Sequence, residues 1–321
     1  MKILIASNMY PGRDPSFDYK GIFVKEQVDG LRKTTGVSVD VHIIDGHKGL
    51  MAYALGSFVL LFKVLFGKYD VIHCHYGLAA MFTLLIPFKR WKNVILTLHG
   101  GDILIEQGKR TQVAITKQIL KRVGFVITLN DEMNEIVARY TNRYQILVCG
   151  ADGDLFYGSY THKKITTFLF PGKPDREVKN YPLFLAIVKA YEDEGNEAKV
   201  IVLDGFTRDE MASTFRKGSL LLMTSYSEGS PQVVKEALLS DLPILSSDVG
   251  DVRDVIGNTP GTLVYGDISS TVIAQKINNL LSNALSTPGA RRTRIVESGL
   301  EQQRVITKLS KVYEKVVNNA G

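Results

Sequence analysis

The chain has 321 residues, of which 45% are hydrophobic and 22% charged, and its formal net charge is +6 at pH 7. This composition excludes a disordered or fibrous protein and leaves room for two domains of ordinary size. Cys74 and Cys149 lie within or at the end of apolar runs, which predicts reduced, buried thiols in a reducing compartment. Residues 1–7 have too short an apolar run for a secretory signal peptide.

Strand-like and helix-like segments alternate along the chain, which predicts a doubly wound α/β architecture. In the first half, the expected strands span 2–6, 37–44, 71–74, 94–98, 126–129 and 145–149, and the expected helices span 22–35, 49–66, 111–122 and 131–140. Asp131 is the expected N-cap of the last of these helices. A second set of segments begins with a strand at 166–170 and ends in a helical pattern over 291–317. No Gly-x-Gly-x-x-Gly follows the first strand, which argues against a dinucleotide cofactor.

Charge is distributed unevenly, because residues 1–122 carry 17 Lys and Arg against 9 Asp and Glu. A basic first half suits an anionic partner such as membrane lipid or a phosphorylated acceptor. The most apolar segment, 49–66, is interrupted by Lys63 and is short for a membrane span. It either packs as a helix on the sheet or lies partly in the lipid interface. Nucleic-acid binding is not expected, since no recognisable binding module is present.

Two glutamates, Glu228 and Glu236, follow the apolar run 219–224 and have seven residues between them. The run predicts a buried strand, and the next segment predicts a helix with Ser230 as its N-cap and Pro231 at its first position. Ligands of open parallel sheets bind at the carboxyl ends of the strands. Carboxylates accept hydrogen bonds from sugar hydroxyls and a helix N-terminus attracts an anion, so this edge suits a phosphorylated, hydroxyl-rich ligand. A solvated helix face is the alternative for Glu236.

The stretch from Glu228 to Glu236, followed by Asp241-Leu242-Pro243-Ile244 and Asp248-Val249-Gly250-Asp251-Val252, resembles the E-x7-E region of retaining GT-B glycosyltransferases of family 4. The resemblance covers nearly the whole chain. It implies two Rossmann-like doubly wound domains that face a cleft. Residues 1–160 would form the acceptor-side domain, residues 161–300 the nucleotide-sugar-binding domain, and residues 301–321 a C-terminal helix that packs back on the first domain.

The same resemblance implies roles for residues of this region. Glu228 would contact the hydroxyls of the donor sugar as a catalytic residue, and Glu236 would hold the ribose of the nucleotide. The donor would also be bound by the residues between them, namely Gly229, Ser230 and Pro231.

A histidine followed by two glycines ends the strand expected at 94–98. Glycines at such an edge keep the loop low, so that a substrate can come close. The segment looks like the H-G-x-D of the family, which implies that His99 is a catalytic residue in contact with the donor sugar and phosphate and that Asp102 lies on the acceptor side. His75 ends another strand, where it either lies on the acceptor side or packs in the core or at the rim. A metal site at His73 and His75 is not expected, because no third ligand is evident.

Three cations, Lys173, Arg176 and Lys179, follow the strand at 166–170, an arrangement that suits phosphate binding. The alternative is a solvated charged loop. The resemblance implies that Lys179 is a catalytic, donor-binding lysine. Lys173 occupies the place of the family's arginine, and Arg176 could supply the guanidinium instead, so both are candidate donor-binding residues. Gly21, just before the first helix, resembles the glycine that lets the backbone approach the donor diphosphate. The alternative is a glycine that ends a flexible loop.

The segment 149–156 resembles the crossover between the two domains of the family. It also contains Asp152-x-Asp154, a pattern that binds metal in other glycosyltransferases. We favour the crossover, and we expect no metal, because Lys, Arg and a helix dipole can stabilise the leaving diphosphate.

The sequence therefore predicts a retaining, metal-independent hexosyltransferase without a cofactor. Its donor would be a nucleotide-sugar such as a UDP- or GDP-hexose, and its acceptor a glycan or lipid-linked molecule in polysaccharide or glycolipid synthesis. We expect a cytoplasmic protein in peripheral contact with the anionic inner face of a membrane. The alternatives are a nucleotide-sugar epimerase or hydrolase of the same fold, and a non-catalytic protein that binds a nucleotide-sugar.

Overall fold

In a computed structural model, the described residues are 1–14, 21–86, 89–104 and 109–320. The chain divides into two compact units, the first formed by Met1–Cys149 with the residues from Gln303 onward, and the second by Gly150–Gln302. The division lies before the expected 160/161 boundary, because Phe156 is fully buried in the core of the second unit.

The first unit is a parallel α/β sheet with its helices in the expected alternation. Its elements are β1 (Lys2–Ser7), α1 (Ile22–Arg32), β2 (Ser38–Ile43), a 3-10 turn (Gly46–Lys48), α2 (Leu50–Phe66), β3 (Val71–His75), a 3-10 segment (Gly77–Leu84), β4 (Trp91–Thr97), α3 (Arg110–Leu120), β5 (Val123–Thr128), α4 (Asp131–Val137) and β6 (Tyr144–Ile146). The strand order is β2-β1-β3-β4-β5-β6. The register pairs Ser7 with His75 and His75 with Thr97, so these strands end at one edge.

The C-terminal segment packs on the first unit, as the sequence predicts. Its helix is named α12 here, in chain order, and spans Gln302–Ala320. One face of α12 joins the core that the sheet forms with α1, through Ile306, Leu309, Val312, Tyr313 and Val316. Apolar burial of this kind is the main force that holds a helix on a sheet.

The second unit is also a parallel α/β sheet. Its elements are β7 (Thr166–Phe170), a 3-10 turn (Glu177–Lys179), α5 (Tyr181–Asp193), β8 (Ala198–Val202), α6 (Arg208–Lys217), β9 (Leu220–Met223), α7 (Gln232–Leu239), β10 (Ile244–Ser247), α8 (Val252–Ile256), β11 (Thr262–Tyr265), α9 (Ser270–Gln275), α10 (Ile277–Ser286) and α11 (Ala290–Glu297). The strand order is β11-β10-β9-β7-β8. Alternate side chains of β7 point to opposite faces, so Phe168 and Phe170 enter one core and Leu169 the other.

Two helix starts differ from the predicted ones by one residue. The N-cap of α4 is Asn130, whose side chain accepts a hydrogen bond from the Met133 N–H, and not Asp131. The N-cap of α7 is Pro231, and not Ser230. Both predictions were wrong. At α4, the neighbouring side chain of Asn130 provides the capping contact in place of Asp131. At α7, the Ser230 hydroxyl donates to another side chain and does not cap the helix.

Candidate functional site

Two loops at the carboxyl edge of the second sheet are fixed to each other by hydrogen bonds. One loop follows β7 and the other follows β9. The Tyr226 N–H donates to the Val178 carbonyl at 2.9 Å, and the Thr224 hydroxyl donates to the Lys179 carbonyl at 3.0 Å. These bonds hold the predicted basic loop and the predicted glutamate loop in one arrangement.

An ion pair joins the two loops through residues that the sequence singles out. The Lys179 Nζ lies 2.7 Å from Oε1 of Glu228, and the two side chains are only 11% and 18% exposed. The Ser225 hydroxyl donates to the same oxygen at 2.8 Å. A lysine ammonium has three N–H donors. This group can therefore bind an anion and the carboxylate together.

Gly172 makes room for the Lys179 stem. Its φ is +141°, and a Cβ at this position would lie 3.2 Å from Cε of Lys179. Lys173 is half-buried and Arg176 is exposed, while Lys179 is buried. The backbone N–H of Arg176 donates to the Lys173 carbonyl at 3.2 Å, so the two candidate cations lie on one turn.

The start of α7 is braced by the loop after β10. The Ser230 hydroxyl donates to Oδ2 of Asp251 at 2.6 Å, which is why it does not cap the helix. Gly250 has a φ of +56°, and a Cβ there would lie 2.4 Å from the Gly229 carbonyl oxygen. Burial raises the pKa of the Asp251 carboxyl, while Lys235 and Ser230 lower it. Asp251 is not among the site residues predicted from the sequence.

Glu236 is buried and paired with a cation that is not among the predicted site residues. Its Oε1 lies 2.7 Å from the Arg208 guanidinium, which also lies over the Phe156 ring at 4.6 Å from the centroid. Arg208 is the first residue of α6 and lies within the capping box that Thr207 and Glu210 form. The T-x-x-E pattern at 207–210 is visible in the sequence and could have placed Arg208 at a helix start.

In the first unit, His99 follows β4 and contacts His75. The ring nitrogens His75 Nδ1 and His99 Nε2 are 3.2 Å apart, so one donates a hydrogen bond to the other. Burial lowers the pKa of His99 to about 3 and lowers that of His75 well below its ordinary value. Both imidazoles are therefore neutral near pH 7, and the half-buried His99 ring can still offer a donor or acceptor to a ligand.

Asp102 anchors the loop that carries His99. Its Oδ1 accepts the His99 N–H at 2.9 Å, and its Oδ2 accepts the Gly77 N–H at 2.9 Å. Burial raises the pKa of the Asp102 carboxyl to about 6, against the lowering effect of these backbone donors. Because Asp102 is fully buried, its observed contacts are with the protein backbone.

His73 connects the sheet to α12. Its Nε2 lies 2.6 Å from the Thr97 hydroxyl and its Nδ1 lies 2.7 Å from the Tyr313 hydroxyl. Burial lowers the pKa of His73 to about 3. The centroids of the His73 and His75 rings are 4.3 Å apart. Neutral rings therefore lie in a continuous row from α12 to His99.

Gly21 is the N-cap of α1 and has a φ of +80°. A Cβ there would lie 2.4 Å from the Met9 carbonyl group, so only glycine fits this close approach.

The Asp152 carboxylate accepts the Asp154 N–H at 2.9 Å and caps its own turn. Among the described residues, no three His, Cys, Asp or Glu side chains are grouped so as to hold a metal ion.

Two Rossmann-like units, each with a parallel sheet, define the GT-B fold, and known structures of that fold match this one over nearly their full length. Sucrose-phosphate synthase from Thermosynechococcus elongatus matches with a TM-score of 0.77 at 16% identity, over 99% of each chain. HepE from Anabaena, solved in complex with UDP and glucose, matches with a TM-score of 0.69 at 11% identity, over 98% of this chain and 100% of its own. The predicted GT-B fold is confirmed.

The family model described as glycosyl transferases group 1 matches residues 182–302, within the second unit. An uncharacterized glycosyltransferase of Methanocaldococcus jannaschii is 23% identical over 93% of this chain and 86% of its own length. Together these similarities support a glycosyltransferase, and the family match includes Glu228 and Glu236.

Proposed function

We propose that the protein is a retaining glycosyltransferase that transfers a hexose from a nucleotide-sugar, such as a UDP- or GDP-hexose, to a glycan or lipid-linked acceptor. The observation that carries this proposal is the largely buried Lys179–Glu228 pair, 2.7 Å apart, beside the start of α7. A carboxylate and an ammonium at this edge match the two parts of a nucleotide-sugar, its hydroxyls and its diphosphate.

In this proposal the Lys179 ammonium and the positive end of the α7 helix dipole neutralise the departing diphosphate. Lys173 and Arg176, on the adjacent turn, are the candidates for additional phosphate contacts. The Glu228 carboxylate accepts hydrogen bonds from the donor sugar, and His99 contacts the sugar and phosphate as a neutral imidazole. No metal is assigned to this step.

Glu236 is proposed to accept hydrogen bonds from the ribose hydroxyls. A carboxylate offers about four acceptor sites, so the ion pair with Arg208 leaves acceptor sites for the ligand. The acceptor hydroxyl would attack on the face from which the diphosphate leaves, and the leaving phosphate would take the hydroxyl proton. The new glycosidic bond then has the configuration of the broken one.

The setting that we propose for this reaction is polysaccharide or glycolipid synthesis in the cytoplasm. HepE, a structure of the same fold, was solved with UDP and glucose, which supports a uridine nucleotide as the first donor to test.

The test begins with thermal unfolding in the presence of UDP, GDP, ADP and their sugars, without added metal. One nucleotide at 100 times its dissociation constant should stabilise the protein by about 2.7 kcal/mol. The responding nucleotide-sugar is then incubated with candidate acceptors, and the product's anomeric configuration is read by NMR. Turnover of donor without an acceptor would favour a hydrolase or epimerase. Binding without any turnover would favour a non-catalytic binding protein.

A further inference from the structure

One face of α2 carries seven large hydrophobic side chains that are open to solvent. We name this set the α2 apolar face, and its members are 44% to 74% exposed: Met51, Leu55, Phe58, Val59, Phe62, Leu65 and Phe66. Their spacing places them along one side of a helix. Among the described residues, sixteen large hydrophobic side chains are exposed, and seven of them lie on this single helix.

The opposite face of α2 is packed against the first unit. Tyr53, Ser57, Leu60 and Leu61 are buried there, and the His42 ring lies 3.1 Å from the Gly56 carbonyl oxygen. The helix is therefore fixed in place with apolar residues on both faces. A helix that is hydrophobic all round is normally covered on all sides, so the exposed face requires a partner.

Aromatic side chains form the centre of the exposed face. The Phe58 and Phe62 rings meet edge to face at 4.9 Å between centroids, and the Phe62 and Phe66 rings stack at 6.0 Å. The helix has 17 residues, which makes it about 25 Å long. No helix of the described part of the chain is long and apolar enough to cross a membrane. An apolar helix of this kind can lie in the plane of a membrane interface.

Within α2 and three residues of either end, the charged side chains are all positive. One of them, Lys48, pairs with Asp45 at 3.1 Å. Between Asp45 and Asp70 the sequence contains no carboxylate, and it contains Lys48, Lys63 and Lys68, all exposed. The first unit as a whole has 23 Lys and Arg against 13 Asp and Glu, a net charge of +10. Apolar residues flanked by lysines are complementary to a surface with an apolar interior and anionic headgroups.

We propose that the α2 apolar face binds the surface of a bilayer that contains anionic lipid, with Phe58, Phe62 and Phe66 inserted at the level of the headgroups and acyl chains. Lys63 and Lys68 contact the headgroups. This inference rests on α2 and the charge of the first unit and does not depend on the proposed transfer reaction, so it can be tested on protein that shows no turnover.

The test is flotation of the full chain with phosphatidylcholine vesicles, with and without phosphatidylglycerol. We expect the protein to float with the anionic vesicles, less with phosphatidylcholine alone, and less with anionic vesicles at high salt. The variant Phe58→Ser/Phe62→Ser should lower the partition coefficient at least about tenfold. The matched control is Leu185→Ser/Val272→Ser, which removes two comparably exposed side chains from the second unit and should float like the wild type.

A reporter variant keeps the test independent of the serine variant's folding. The chain has one tryptophan, Trp91, which is 3% exposed. Phe62→Trp should therefore add a water-exposed emission that shifts to shorter wavelength and becomes protected from an aqueous quencher when anionic vesicles are added. An unshifted emission would overturn the proposal.

Two further outcomes would also overturn it. One is equal flotation of the wild type and a well-folded Phe58→Ser/Phe62→Ser variant. The other is a wild-type dimer without vesicle binding that becomes a monomer in this variant, because the α2 apolar face would then be covered by a second copy of the chain.

Discussion

In the first unit, neutral rings and backbone groups hold the candidate site residues, whereas in the second unit charged side chains hold them. His99 contacts neutral His75, and Asp102 accepts backbone N–H groups. Lys179 and Glu228 form an ion pair, and so do Arg208 and Glu236.

The unit whose site residues are held by charged side chains is not the unit with the larger net charge. The first unit has a net charge of +10, while the second has 16 Lys and Arg against 20 Asp and Glu, a net of −4. Net charge is therefore a property of the surface, and the site chemistry has to be read from individual pairs. We expect changes in the second unit to act mainly on binding and turnover, and changes in the first to act mainly on stability.

The largest expected effect is that of Lys179→Ala. This change removes the buried cation that we assign to the diphosphate, so kcat should fall about 100- to 1,000-fold. It is measured at saturating donor and acceptor. Lys173→Ala and Arg176→Ala are the matched controls, since they remove cations from the adjacent turn, and each should lower kcat less than about tenfold. Loss of activity in Arg176→Ala alone would move the phosphate role to Arg176.

The next effect is expected in the first unit. In Asp102→Asn, the side-chain NH2 group would face one of the two backbone N–H groups that donate to Asp102, and two donors cannot bond to each other. The free energy of unfolding should therefore fall by about 2 kcal/mol. Urea unfolding is followed by the fluorescence of Trp91, which lies in the first unit. Asp267→Asn, an exposed carboxylate of the second unit, is the control. Unchanged stability with lost activity would instead place Asp102 in contact with the acceptor.

Two glutamates of the second unit should separate binding from turnover. Glu236→Ala should weaken nucleotide binding about tenfold, a change of about 1.4 kcal/mol, because the ribose loses its acceptor. Glu228→Ala should leave nucleotide affinity near the wild-type value and lower kcat. Calorimetric titration with the nucleotide and steady-state kinetics measure the two quantities. Wild-type behaviour of both variants would remove these residues from the site.

The smallest expected effect is the dependence of stability on pH in the first unit. The pKa values of His73 and His99 are about 3 in the folded chain, against an ordinary 6.5, so the unfolded chain binds more protons between these values. Stability should therefore fall as the pH drops below about 6.5. The Asp102 pKa, raised from 3.8 to about 6, acts in the opposite direction between those two values.

Because the lowered pKa of His75 adds to the loss, the unfolding free energy should fall by at least about 1 kcal/mol between pH 7.0 and 6.0. It is measured by urea unfolding at the two pH values. His73→Gln should show a shallower dependence on pH than the wild type. A stability that stays flat or rises on acidification would contradict the neutral-histidine description.

The sequence predicted the order of strands and helices and the edge on which the candidate residues lie. Glu228 and Lys179 could be placed there because each follows an apolar strand, and parallel strands end at one edge. The sequence did not predict that they pair with each other, because they are 49 positions apart and only the folded sheet brings their loops together.

The other differences between the sequence predictions and the structure also come from side-chain pairing. Serine is a residue type that is favoured at helix N-caps. The Ser230 hydroxyl, however, donates its hydrogen bond to Asp251, on a different loop. Arg208 lies within a recognisable capping box, yet nothing local indicates that its partner is Glu236. The sequence shows that His73 lies two positions from His75. It does not show the hydrogen bond of His73 to Tyr313, because that bond depends on a helix from the far end of the chain.

The return of α12 to the first unit has a consequence for synthesis on the ribosome. The second unit is one continuous stretch, Gly150–Gln302, so it can close as soon as that stretch has emerged. The first unit cannot complete its core until Ile306, Leu309 and Tyr313 have been made. Although its strands emerge first, we expect the first unit to finish folding last, and its sheet to stay accessible to chaperones in the meantime.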